Sequence, residues 1–159
     1  MDSVSKSITT LDAVIDLAIL MENHGRDYYA NARDKTKDPK SKEFFAWLVE
    51  QEDDHHKTYL RLLEDSSSAE ISPEELYGGY GHFVQQLVNE VTASLKESEN
   101  LTVEQAIDQA IFFEKSVIEY FQRVISLFPE DQAKIIQVIC DEEQTHIDAI
   151  EQYKEEHKL

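Results

Sequence analysis

Four stretches of this 159-residue chain repeat apolar residues at three- and four-residue intervals, and each is interrupted near its middle by a glutamate. That spacing places side chains on one face of a helix, so the pattern predicts four amphipathic helices. The first, about residues 10–36, aligns Leu11, Val14, Ile15, Ala18, Tyr29 and Ala32. The second, 39–65, aligns Phe45, Leu48, Tyr59 and Leu62, and the third, 102–127, aligns Ile107, Ala110, Ile111, Val117, Phe121 and Val124. The fourth, 130–157, aligns Ile136, Ile139, Ile147, Ile150 and Tyr153. Into these faces fall Glu22, Glu52, Glu114 and Glu143, with His55 and His146 three residues after the second and fourth. Four glycines and three prolines are too few for a turn-rich β architecture.

The punctuation fits this division. Asp38 is placed to cap the second helix, with Pro39 at its first helical position. Thr102-x-x-Gln105 has the form of a capping box, and "LFPED" separates the third helix from the fourth. Both joins are short, so the helices pair as two antiparallel hairpins. Residues 66–101 lie between the hairpins. There Ser72-x-x-Glu75 with Pro73 opens a short helix, "GGYG" interrupts, and "HFVQQLVNEVTASL" forms another amphipathic piece. A helix of about 26 residues is roughly 39 Å long, and the crossover has enough chain to return along it. The expected fold is all-α, a ferritin-like four-helix bundle in one domain spanning residues 1–159.

Four carboxylates turned into a core need compensation. Each buried charge costs several kcal/mol even after relaxation, and four together repel and take up protons. No Lys or Arg interrupts the same faces. Two divalent cations would supply four positive charges against four negative ones. Glu oxygens and His nitrogens suit iron or manganese, whereas calcium sites avoid imidazole. Di-iron and di-manganese bundles take one Glu from each of two helices and Glu-x-x-His from each of the other two, which is the order found here. With 20 glutamates and six histidines, about one Glu-x-x-His arises by chance. Two of them, each in the second helix of a hairpin, with an inward Glu on both remaining helices, are far more specific. The competing reading is a cluster of protonated acids without metal.

Other residues carry less. Tyr29 follows Glu22 by two turns and Tyr59 follows His55 by one, so either hydroxyl could bond a ligand carboxylate or simply pack. Cys140 precedes Glu143 by one turn and reads as a core thiol; as the sole cysteine it excludes an internal disulfide. His56 falls off the apolar face and is expected in solvent, while His24, His82 and His157 belong to no partner pattern. Trp47 and Phe44 read as packing or subunit-interface residues. A net charge of −18 argues against nucleic acid and anionic membranes as partners. No apolar run approaches the ~20 residues of a membrane span, and the N-terminal residues lack a basic start with an apolar signal core. A soluble cytoplasmic protein is expected.

"AILMENHGRDYYANA", "FFAWLVEQEDDHHKTYL", "QAIFFEKSVIEYF" and "VICDEEQTHIDAI" together resemble the four helices of the rubrerythrin branch of the ferritin-like superfamily. The resemblance covers nearly the whole chain. It implies a non-haem di-iron site whose ligands by position are Glu22, Glu52, His55, Glu114, Glu143 and His146. Glu52 and Glu143 would bridge two iron ions, His55 and His146 would each cap one, and manganese or zinc could substitute. Full-length rubrerythrins add a rubredoxin-like module with four cysteines, so a stand-alone protein with a separate, rubredoxin-like electron donor is expected. Rubrerythrins proper carry a second Glu along the third helix, where this chain has Ile111 and Val117. The implied activity is reduction of hydrogen peroxide or dioxygen with electrons from Fe(II), and the implied assembly is a homodimer. The alternatives are ferroxidase action in iron handling, a helical interaction module stabilised by metal, and a di-manganese catalase.

Overall fold

In the computed structural model, residues 11–66, 102–126 and 128–159 are described, together with Asn89. Among them are four helices and no strand: α1 (Leu11–Lys35), α2 (Pro39–Ser66), α3 (Val103–Ile125) and α4 (Glu130–Glu156). The short helices expected in the crossover, and His82, lie outside the described residues.

Local chemistry sets the ends. Asp38 caps α2, accepting from the Ser41 amide at 3.1 Å and its hydroxyl at 2.7 Å, while Lys42 N donates to Asp38 O. At α3 the full capping box forms between Thr102 and Gln105, satisfying two amides that have no partner inside the helix. Pro129 precedes α4 without a side-chain cap; Glu130 and Asp131 in the first turn complement the helix dipole instead.

α1 packs along α2 and α3 along α4, giving two hairpins. Two apolar layers join them. One gathers Val14, Ile15, Ala18 and Met21 of α1 with Tyr59, Val117, Phe121, Ile136 and Ile139. The other gathers Tyr28, Tyr29, Phe45, Leu48, Ile107, Ala110 and Ile150. The order of these residues shows that α1 and α4 run one way and α2 and α3 the other. Because α2 and α3 are parallel neighbours in sequence, the chain between them must span the bundle length, about 42 Å for the 28-residue α2. That connectivity is ferritin-like.

Each fully buried aliphatic or aromatic side chain contributes about 1.5–3 kcal/mol of transfer free energy, so the two layers supply the main drive for closure. The end near the α1–α2 turn is pinned further. Phe44 stacks on Tyr153 with centroids 3.8 Å apart, Ser41 Oγ lies 3.1 Å from Tyr153 Oη, and Tyr28 donates to Ala106 O at 2.7 Å. Phe44 is thus a packing residue, while Trp47 beside it stays 39 % exposed. No described helix is long and apolar enough to cross a membrane. Between the layers lies a polar slab, and the site is there.

Candidate metal centre

Each helix delivers its mid-face carboxylate to this slab. Glu22, Glu52, Glu114 and Glu143 are at most 3 % exposed, and His55 and His146 at most 5 %. The i to i+3 step inside α2 and α4 keeps Glu and His on one helix face, so both aim at the same volume. The structure therefore brings together all six residues singled out by the sequence.

The contacts run both within and between the hairpins. His55 Nδ1 lies 3.7 Å from Glu22 Oε2 and 3.6 Å from Glu143 Oε1. His146 Nδ1 lies 3.3 Å from Glu52 Oε1, 3.7 Å from Glu114 Oε1 and 3.8 Å from Glu143 Oε2. Each imidazole thus approaches the Glu of the other motif, and the two oxygens of Glu143 face different imidazoles. The rings themselves stack at 4.1 Å. Two sets of side chains have donor atoms converging within 4.8 Å: His55, Glu143 and His146, and Glu52, Glu114 and His146.

Two tyrosines, both 0 % exposed, brace the acids. Tyr29 donates to Glu114 Oε1 at 2.5 Å and Tyr59 to Glu143 Oε1 at 2.8 Å. Burial and the neighbouring carboxylates push both phenols well up, so they remain donors. Gly25 completes the packing. A Cβ there would lie 3.2 Å from both Glu52 Cδ and Phe113 Cε1, so glycine leaves room for the Glu52 carboxylate.

The electrostatics of these side chains show what the cluster needs. Burial, with the charges of Glu143 and Glu52, drives the Glu22 carboxyl well above the ordinary range. Burial, with Glu52 and Glu143, does the same to Glu114 despite the opposing pull of His146. Burial also opposes ionisation of Glu143, but the polar groups of Glu22, His55 and Glu114 around it, with the charge of His146, outweigh it and hold that carboxyl low. His146 is pushed up to about 11: burial disfavours its charge, and Glu114 and Glu52 more than reverse that. Protons thus do the work of counter-ions. Among the described residues no Lys or Arg pairs with the four acids. Even so, Glu22 Oε2, Glu52 Oε1, His55 Nδ1 and both ring nitrogens of His146 are buried without a hydrogen-bond partner. Orphaned buried polar atoms are costly and rare, and four of these, Glu22 Oε2, Glu52 Oε1, His55 Nδ1 and His146 Nδ1, lie within the slab, where they fit cations better than protons.

Three other expectations resolve on geometry. Cys140 is buried in the apolar layer, its thiol pushed up to about 11, chiefly by burial. His157 caps the C-terminal end by stacking on Tyr153. His56, expected in solvent, is half-buried, and its Nδ1 meets Asn23 Oδ1 at 3.0 Å; α1 lies close enough to cover the side of α2 that leaves the apolar face. The sequence reading also passed over Glu142, whose Oε2 lies 3.1 Å from His55 Nε2. One position away from Glu143, it has no periodicity to mark it.

No curated protein and no solved structure matches the chain significantly. A model of the rubrerythrin family matches residues 13–154, a span that contains all six inward acids and imidazoles. With that match across most of its length, and a four-helix bundle carrying carboxylates and imidazoles at its centre, the chain belongs to the rubrerythrin family.

Proposed function

We propose that the protein is a non-haem di-iron oxidoreductase that reduces hydrogen peroxide or dioxygen. The observation that carries this reading is the set of five partnerless buried polar atoms, all from the six inward residues. Family membership implies iron binding, and the donor set of carboxylate oxygens and imidazole nitrogens suits iron. Glu22 and His55 would hold one ion, and Glu52, Glu114 and His146 the other. Glu143, with an oxygen toward each imidazole, would serve both.

Iron bound here as Fe(II) supplies one electron per ion, matching the two needed to cleave the O–O bond of peroxide. The chain's own residues prepare the place. Tyr29 and Tyr59 fix the Glu114 and Glu143 carboxylates by donating to them. The apolar layers above and below exclude bulk water from the slab. The electrons that restore the reduced form would come from a separate donor protein.

Anaerobic Fe(II) loading followed by stopped-flow absorbance tests the reading. Mixing with peroxide should give a faster change than mixing with air; no peroxide-dependent change would remove the peroxidase reading. A second reading, iron oxidation for handling or storage, is favoured by the net charge of −18, which attracts Fe(II) to the surface. Oxidation continuing well beyond two Fe(II) per chain would select it.

A further inference from the structure

The two Glu-x-x-His steps look equivalent in sequence, and the bundle has near-twofold internal symmetry. Each inward His meets the Glu of the opposite hairpin, although the tyrosine hydrogen bonds run one way, from Tyr29 and Tyr59 of the first hairpin to Glu114 and Glu143 of the second. The outer nitrogens of the two imidazoles break this equivalence. His55 Nε2 lies 3.1 Å from Glu142 Oε2, whereas His146 Nε2 is buried and has no hydrogen-bond partner.

The cause is one residue per motif. In α4 the residue before the inward Glu143 is Glu142; in α2 the residue before Glu52 is Gln51. A step of one residue turns the side chain about 100° around the helix, away from the slab and along its rim. From that position Glu142 reaches across to the back of the His55 ring, with its own side chain 44 % exposed. Gln51 occupies the corresponding place in α2, and His146 Nε2 has no hydrogen-bond partner there.

A carboxylate on Nε2 has a definite consequence for the ring. A proton on Nε2 would be shared with that oxygen, leaving the Nδ1 lone pair free for a cation. Nδ1 is the nitrogen that faces Glu22 and Glu143. A carboxylate in that place would also restrain the ring's rotation and strengthen it as a ligand. The His146 ring, lacking this brace, pays for its orientation when a cation arrives.

We propose that Glu142 is a positioning residue that locks His55 by its outer nitrogen, so that the two metal positions are unequal, the one on the His55 side binding first and more tightly. This inference rests on the reading of the slab as a two-cation centre. It differs from that reading in assigning an order of filling, and in tracing that order to the Glu142/Gln51 pair.

Cobalt(II) titration of the metal-free, full-length protein tests it, with visible absorbance and chelator competition giving both affinities. Wild type should bind two equivalents in resolved steps. Glu142→Ala should weaken the tighter step about 10- to 100-fold, the usual loss when a ligand histidine loses its outer partner, and leave the weaker step in place. Glu142→Gln should recover most of the loss, because its amide oxygen accepts the same N–H. Gln51→Glu should tighten the weaker step. Nitrogen-15 imidazole spectra of the metal-free protein give a readout independent of affinity: His55 should be the Nε2–H tautomer in wild type and in Glu142→Gln, and mixed in Glu142→Ala. Two equally tight sites in wild type, or two steps unmoved in Glu142→Ala, would overturn the role of Glu142 while leaving the metal centre standing. A wild-type protein that takes up no cobalt would overturn both.

Discussion

Replacing Tyr59 or Tyr29 by Phe removes one oxygen and leaves the buried ring, so each variant measures a single hydrogen bond to a single acid. The two bonds have similar geometry, 2.8 Å from Tyr59 to Glu143 and 2.5 Å from Tyr29 to Glu114, and both rings are fully buried. Their acceptors differ in charge. In the metal-free protein Glu143 is held ionised, whereas Glu114 is driven well above the ordinary carboxyl range and carries a proton at mildly acidic pH. A hydrogen bond to an ionised acceptor contributes about 1.5–3 kcal/mol and one between neutral groups about 0.5–1.5 kcal/mol. Tyr59→Phe should therefore cost the metal-free protein about 1 kcal/mol more than Tyr29→Phe. Urea unfolding in the presence of a chelator reads this as a shift in midpoint at constant slope, about 0.3–1 M for slopes of 1–3 kcal/mol/M. Loading the centre ionises both acids, so the two variants should then cost nearly the same. Should Tyr29→Phe prove the more damaging of the two without metal, the assignment of charge within the cluster would be wrong.

Two further outcomes follow from the same site. Gly25→Ala gains about 1 kcal/mol of helix propensity but sets a Cβ 3.2 Å from Glu52 Cδ and Phe113 Cε1. The metal-free protein should change little in stability while metal affinity, measured by chelator competition, falls about 10-fold, the scale on which misplaced ligands act; unchanged affinity with the full gain in stability would refute the role of Gly25. The metal-free protein should also lose stability as pH rises. Glu22 and Glu114 hold protons in the folded state that the unfolded chain has already released above its ordinary carboxyl pKa, and His146, raised from 6.5 to about 11, does the same at higher pH. In that range the folded state binds more protons, so the slope of unfolding free energy against pH is negative. Glu143 acts oppositely at acid pH, where protonating it removes stability. Melting temperatures with chelator should thus peak at mildly acidic pH and fall toward alkaline pH. A metal-free protein more stable at alkaline than at mildly acidic pH would contradict this, and metal should flatten the profile.

Helix periodicity is a local property, and it carried most of what could be read in advance. The spacing of Leu48, Glu52, His55 and Tyr59 puts all four on one face whatever α2 packs against, so the inward acids and imidazoles were legible from order alone. The same holds for the Asp38 cap and the Thr102 capping box, which close within four residues. Tertiary structure decided everything that depends on two elements at once. Tyr59 reaches Glu143 across 84 positions and Tyr29 reaches Glu114 across 85; only the approach of the hairpins selects those partners over simple core packing. His56 lies off the apolar face of α2, yet the close flank of α1 brings Asn23 to it. Glu142 shares its composition with every solvent-facing acid on α4 and acquires meaning only because the His55 ring turns its back to it. A single helix determines which side chains share a face, since that is set by its own rise and turn. Which nitrogen of a ring points inward, and which acid keeps its proton, depend on distances of a few ångströms between helices far apart in the chain.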